Sequence, residues 1–145
     1  MTFSAFDSYE QFLYSLPEAY SSIQTSTLVL IRHGRSVAVV RGELHFEQGI
    51  RLVVREHLLA LPTVEITDYG YEVWRGEQRL YWYDAQPHPH TPALQSTHPH
   101  HKHVLPDIKH NRVPAPDLSF TQPNLPFLIE EIDHALLTPL GLPKS

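Results

Sequence analysis

The residues best suited to chemistry are histidines concentrated in one short part of the chain. Of the 11 histidines in 145 residues, seven lie between positions 88 and 110, and the densest run is HPHHKH at positions 98–103. Imidazole titrates near neutral pH, acts as a general acid or base and binds transition metals. Because no structural need accounts for this density, the run marks a candidate functional site.

In a first interpretation, these histidines cleave RNA. One imidazole removes the proton of a ribose 2′-hydroxyl, a second acid protonates the departing 5′-oxygen, and a lysine stabilises the charge on the phosphate. No metal or other cofactor is required, since RNA carries its own nucleophile. The predicted catalytic residues are His88, His100, His101, Lys102 and His103, with Asp84 orienting a histidine.

An aromatic run shortly before the histidines suits the binding of unpaired bases, which stack on aromatic rings. Consecutive aromatic residues on a strand cannot all face the core, so at least one ring is expected to face the histidines. Two arginines that flank the last predicted hairpin are candidate phosphate contacts, with solvation as their alternative role. The alternative role of the aromatic residues is packing in the core. The predicted substrate-binding residues are Arg75, Arg79, Tyr81, Trp82 and Tyr83.

Two other interpretations of the histidines stay open. Histidines two positions apart within 98–103 lie on one side of an extended segment, and with Asp84 or His88 they could bind a divalent metal such as zinc, nickel or copper. The chain has no cysteine, which removes the commonest partner ligand of zinc sites. Alternatively, the segment is a proline-stiffened surface loop whose histidines are solvated.

Composition restricts the class of protein. With 41% hydrophobic and 19% charged residues, the chain is typical of one globular domain spanning residues 1–145, and not of a disordered or membrane protein. The formal net charge of -5 is counted with all histidines neutral and becomes less negative when they are protonated. Neither a secretory leader nor an apolar run of membrane-spanning length is present, so we expect a cytoplasmic protein without a membrane partner.

Helical periodicity occurs near both ends of the chain. Apolar residues recur at helical spacing over 6–16, with Ser4 or Asp7 as the cap and Pro17 as the end of the helix. A second helix is predicted over 125–137, with Asn124 as its N-cap.

Between these helices, strand patterns alternate with turn residues. The predicted strands lie at 25–32, 36–41, 44–46, 50–59, 64–74 and 79–83. No helix-length segment separates them, so we predict an α+β fold in which one antiparallel meander of about five or six strands is packed by the two helices. Residues 86–126, which hold 9 of the 13 prolines, are predicted to form a long irregular His/Pro-rich loop. Charged strand residues such as Glu56 are assigned to the solvated face, with base chemistry as the alternative.

Several of these motifs together resemble the TumE-like toxins of toxin–antitoxin systems. The matching features are the aromatic-Tyr-Asp end of a strand at 82–84, the Pro-His-Pro step at 87–89 and PHHKH at 99–103. The resemblance implies a small cytosolic toxin that acts on RNA and is neutralised by an antitoxin protein. This chain differs from the family pattern in a longer segment after Asp84 with the extra histidines His90 and His98.

The resulting functional prediction is the toxin of such a pair, acting as an endoribonuclease through histidine acid–base chemistry. The alternative is a non-catalytic metal-binding or protein-interaction module that uses the His-rich segment. The predicted partners are RNA and a cognate antitoxin that covers the aromatic and histidine surface.

Overall fold

The structure, a computed structural model, describes residues 2–85, 99–105 and 111–137. Within these ranges a helix precedes eight strands and a second helix follows them. The helices are α1 (Phe6–Ala19) and α2 (Leu125–Ala135). The strands are β1 (Ile23–Ser26), β2 (Val29–Arg32), β3 (Val37–Phe46), β4 (Ile50–Ala60), β5 (Val64–Arg75), β6 (Gln78–Asp84), β7 (His101–Val104) and β8 (Arg112–Pro114). Neither helix has the length and apolar character needed to cross a membrane.

All eight strands belong to one antiparallel sheet. Its order is β1-β3-β4-β5-β6-β7-β8, and β2 also pairs with β3. The α+β class and the antiparallel meander are confirmed, whereas the prediction of five or six strands is wrong. The described part of the predicted loop contributes β7 and β8, and the predicted first strand is divided into β1 and β2. The strands predicted at 36–41 and 44–46 are instead one continuous strand, β3.

The division between β1 and β2 depends on Gly42 in the middle of β3. Its φ of +139° is unfavourable for residues with a side chain, and a Cβ there would lie 2.5 Å from the carbonyl oxygen of Thr27. The Thr27 amide in turn donates a hydrogen bond of 2.9 Å to the carbonyl of Glu43. Glycine therefore lets the chain between β1 and β2 lie directly against β3.

Both helices contact one face of the sheet, here called the core face. The alternate residues Tyr69, Tyr71 and Val73 of β5 lie on this face and are all fully buried. Among the other fully buried residues are Leu13 of α1 and Ile129 of α2. The opposite side of the sheet, here called the outer face, carries the alternate residues of each strand.

Glu56 is fully buried on the core face, so its assignment to the solvated face is wrong. The Tyr9 hydroxyl donates a 2.6 Å hydrogen bond to one carboxylate oxygen, and the Tyr71 hydroxyl donates to the other. The Asn124 side-chain amide donates to the Tyr71 oxygen at 3.1 Å. Burial raises the pKa of Glu56, and the two hydroxyl hydrogen bonds counteract only part of that effect. This chain of contacts joins α1, two central strands and the start of α2.

The helix ends differ from the prediction in their details. Pro17 lies inside α1, because a proline in the last turn removes a single backbone hydrogen bond and the final residues remain helical. Ala5 is the N-cap residue and no side chain caps the helix, so Ser4 and Asp7 do not have the predicted role. Asp7 instead forms an ion pair with Arg32 of β2. In α2, Asn124 occupies the predicted N-cap position without making a capping hydrogen bond.

Candidate functional site

The candidate site is assembled by the pairing of β6 with β7. In this ladder Asp84 lies opposite His101, and Trp82 lies opposite His103. Directly opposed residues of an antiparallel pair project from the same face, so these four side chains share the outer face. The predicted placement of the two histidines on one side of an extended segment is thereby confirmed.

Asp84, His101 and His103 form a compact group, here called the Asp84 cluster. His101 Nε2 contacts Asp84 Oδ1, and His103 Nε2 lies 3.3 Å from Asp84 Oδ2. The two Nε2 atoms are 3.1 Å apart. The Trp82 indole donates to Asp84 Oδ2 at 3.3 Å, and His101 Nδ1 lies 3.2 Å from the Pro99 carbonyl oxygen. The arrangement brings two imidazoles and one carboxylate within direct reach of one another.

The cluster is largely removed from solvent. His101 is 1% exposed and His103 is 3% exposed, whereas the side chain of Asp84 retains 17% of its surface. Burial alone would raise the pKa of the Asp84 carboxyl, but the hydrogen bonds and charges of His101 and His103 outweigh it and hold that pKa well below its usual range. Asp84 is therefore an anion at neutral pH.

Aromatic rings and cations adjoin the cluster along the outer face. The Trp82 ring is stacked on His103 with centroids 3.9 Å apart, and the Arg79 guanidinium lies 3.8 Å from the Trp82 centroid. Farther along, Arg51 lies 4.9 Å from the ring of Trp74. A cavity of about 380 Å³ is lined in part by Trp82, Arg79 and Asp84, so it opens onto the carboxylate of the cluster.

Other predicted site residues lie on the core face. Lys102 Nζ donates to a Glu131 carboxylate oxygen at 3.2 Å and lies 4.2 Å from the Tyr81 ring centroid. The Tyr83 hydroxyl donates to the same oxygen at 2.8 Å. Because strand residues alternate between faces, Lys102 is separated from the histidines on either side of it. Tyr81 and Tyr83 are buried, and Trp82 is the member of the aromatic run that lies beside the histidines.

The remaining predicted residues are dispersed. His100 Nδ1 is 2.6 Å from the hydroxyl of the core-face residue Tyr69, and its ring contacts Phe120 at a centroid distance of 4.5 Å. Arg75 donates to the carbonyl of Leu136, just after α2, at 3.4 Å. His88 lies outside the described residues. The structure thus brings together Asp84, His101, His103, Trp82 and Arg79 from the predicted set.

Sequence analysis missed Glu72 and Gly70 of β5, which also line the cavity. Glu72 accepts a 3.0 Å hydrogen bond from Arg79, and it lies opposite Trp82 in the β5–β6 ladder. Alternation along β5 places Glu72 on the face opposite the buried tyrosines. The register of β5 on β6, which brings Glu72 beside Trp82, is not contained in the sequence pattern.

The chain matches the model of a known protein family. The model of a family described as Toxin TumE matches residues 16–136, which include most of the chain and the whole Asp84 cluster. Neither the curated proteins nor the solved structures contain a match to the chain.

Proposed function

Because the chain belongs to the TumE toxin family, we propose that its toxic activity is endonucleolytic cleavage of RNA. The observation that carries the proposal is the Asp84 cluster, which places two imidazoles and a carboxylate beside a tryptophan and an arginine. Acid–base cleavage of a phosphodiester needs two proton-transferring groups close together. The cytoplasm, which holds RNA, is the proposed place of action.

The proposed reaction uses His101 and His103 as the proton-transferring pair. The neutral imidazole takes the proton of a ribose 2′-hydroxyl, whose oxygen attacks phosphorus, while the protonated imidazole gives its proton to the departing 5′-oxygen. The products are a 2′,3′-cyclic phosphate and a 5′-hydroxyl. Asp84 contacts both rings and acts as a positioning residue that also stabilises the imidazolium.

The substrate side of the proposal rests on Trp82 and Arg79. His103 and the Arg79 guanidinium lie on the two faces of the Trp82 indole. In the proposal an unpaired base takes the place of the guanidinium on the ring, and the displaced guanidinium binds the phosphate. Lys102, predicted to bind the phosphate, is on the core face, so Arg79 takes that role in the proposal. His100 is left out for the same reason, while His88 stays a prediction.

A second candidate function is favoured by the burial of His101 and His103. A substrate must reach their Nε2 atoms, whereas a metal or structural role requires no such access. The alternative is therefore a non-catalytic module that uses the cluster for metal binding or for the interaction with a partner protein.

RNA cleavage by the purified, untagged protein tests the proposal. Single-stranded and structured RNA are incubated with and without a chelator, and the product ends are identified. We expect cyclic-phosphate ends in both conditions, with cleavage lowered about 100-fold or more by His101→Gln or His103→Gln. The matched control is His134→Gln at an exposed position of α2, which should retain full activity. Absence of cleavage by folded protein would favour the non-catalytic module.

The family also implies an antitoxin, and we propose that this protein covers the outer face around Trp82. A partly buried tryptophan beside an arginine is typical of residues that dominate protein interfaces. Co-purification with the product of the neighbouring gene should be lost with Trp82→Ala and Arg79→Ala together. Tyr14→Ala, at an exposed site of α1, should have no effect. Complex formation that depends on Tyr14 and not on Trp82 would show that the outer face remains open.

A further inference from the structure

We infer that Asp84, His101 and His103 form a binding site for a divalent transition metal of the zinc type. These three residues also serve in the proposed function, but their geometry alone supports metal binding. Only the effect of the metal on RNA cleavage rests on the proposed function.

The spacing of the ligand atoms fits one shared cation. Zinc binds imidazole nitrogen and carboxylate oxygen at about 2.0–2.1 Å in tetrahedral geometry, which places neighbouring ligand atoms about 3.3 Å apart. The two Nε2 atoms are 3.1 Å apart, and His103 Nε2 is 3.3 Å from Asp84 Oδ2. All three ligand groups lie within 4.8 Å of one another. Small side-chain adjustments, chiefly between His101 and Asp84, are enough to hold the cation.

The Pro99 carbonyl holds a proton on His101 Nδ1, which leaves Nε2 as the ring atom that can bind a metal. A backbone carbonyl oxygen is only an acceptor, so the contact with Pro99 is a hydrogen bond donated by His101 Nδ1. In the neutral ring Nε2 then carries a lone pair that faces the Asp84 carboxylate. Two electron-rich atoms in contact need a proton or a cation between them. A carbonyl holding the second ring nitrogen is also the usual outer support of a metal-bound histidine.

The carboxylate and the cavity complete the fit. The Trp82 indole donates to Asp84 Oδ2, which orients the carboxylate as outer partners of metal ligands do. Three protein ligands leave a coordination position for water or a phosphate oxygen. The cavity of about 380 Å³ that reaches Asp84 is a path by which the ion can enter.

Metal binding would affect the proposed nuclease activity directly. The lone pairs that bind the cation are the ones that accept and donate protons in the proposed reaction. A bound zinc ion should therefore inhibit RNA cleavage, which makes the cluster a metal-sensitive control point of the toxin. This consequence rests on the proposed function, whereas binding does not.

Zinc titration of metal-free, untagged protein tests the site. Calorimetry should show one ion per chain, and Co²⁺ should give the visible absorption of a four-coordinate site. We expect Asp84→Asn and His103→Gln to weaken binding by about 100-fold or more, since each removes a ligand and even outer partners of ligands contribute about 10- to 100-fold, while circular dichroism stays unchanged. Excess zinc should raise the melting temperature of the wild type by about 5–10 °C and that of Asp84→Asn much less.

Two controls separate the cluster from other histidines. His45 lies 3.0 Å from Glu43 and, within the part of the chain that the structure describes, pairs with a carboxylate but with no second imidazole, so His45→Gln should bind zinc like the wild type. His134→Gln, at an exposed position of α2, should also retain binding. Absence of binding, binding that Asp84→Asn leaves intact, or loss of binding in His134→Gln would overturn the inference.

Measuring RNA cleavage in the same samples keeps the two proposals distinguishable. Zinc binding with inhibited cleavage supports both. Binding without cleavage under any condition keeps the metal site and removes the nuclease, whereas cleavage that requires zinc keeps the site and overturns the acid–base assignment. Cleavage without zinc binding supports the nuclease alone.

Discussion

Replacing Glu56 tests whether the buried carboxylate holds both helices on the sheet. In Glu56→Ala, the hydroxyls of Tyr9 and Tyr71 lose their common acceptor, and each unsatisfied buried hydroxyl costs about 1–3 kcal/mol. The lost γ-methylene group adds about 0.8 kcal/mol, and relief from burying a carboxylate offsets part of the sum. We expect the free energy of unfolding to fall by about 3–5 kcal/mol.

The variant Glu56→Gln isolates the charge, because it keeps the volume and one carbonyl acceptor. Burial raises the pKa of Glu56 above that of the unfolded chain, so the folded state binds the proton more tightly. The resulting stability is fully present below the unfolded pKa of about 4.3 and is lost as pH rises through the folded pKa. The wild type should therefore gain stability relative to Glu56→Gln as the pH is lowered towards about 4.5.

Urea unfolding followed by tryptophan fluorescence between pH 4.5 and 8 measures both effects. Glu65→Gln is the matched control, since Glu65 lies on the adjacent strand and is exposed, and its unfolding curves should follow those of the wild type. A loss below about 1 kcal/mol in Glu56→Ala, or equal pH slopes for wild type and Glu56→Gln, would refute the reasoning.

Three further outcomes are expected. Gly42→Ala should lower the free energy of unfolding in urea by about 2–4 kcal/mol, because the added Cβ would lie 2.5 Å from the carbonyl oxygen of Thr27. An unchanged unfolding midpoint would contradict this close approach. Trp82→Ala should weaken the binding of single-stranded RNA about 10-fold in fluorescence anisotropy, and full affinity would exclude base stacking there. Lys102→Met should lower stability by about 1–3 kcal/mol, because Glu131 loses its cation, yet leave RNA cleavage per folded molecule intact. A loss of cleavage in that folded variant would return Lys102 to the reacting groups.

The fold was predictable where the apolar pattern is long. α1, α2 and the central strands follow from helical periodicity and from alternation such as that of Tyr69, Tyr71 and Val73. β7 and β8 were missed because each is at most four residues long and lies in a polar, proline-rich segment. β7 is a strand because it pairs with β6, which is distant in the sequence. β8 is a strand because it pairs with β7, which has no apolar pattern of its own.

The residue types of the candidate site were also predictable, but their grouping was not. The residues at 99–103 were predicted to act as one group, but β-strand alternation places His101 and His103 on one face of the sheet and Lys102 on the other. The register of β7 on β6 then determines which of these residues contact Asp84. Neither composition nor spacing contains that register.

The ladder between β6 and β7 also determines which changes in the chain the cluster tolerates. Asp84 and His101 are neighbours because β6 and β7 pair, and the ladder fixes which positions of the two strands face each other. A single residue inserted between His101 and His103 would therefore turn one imidazole to the opposite face of the sheet. An insertion of two residues there would restore the face but would shift His103 away from Trp82. The strict spacing of the three ligand groups thus belongs to the paired positions of β6 and β7.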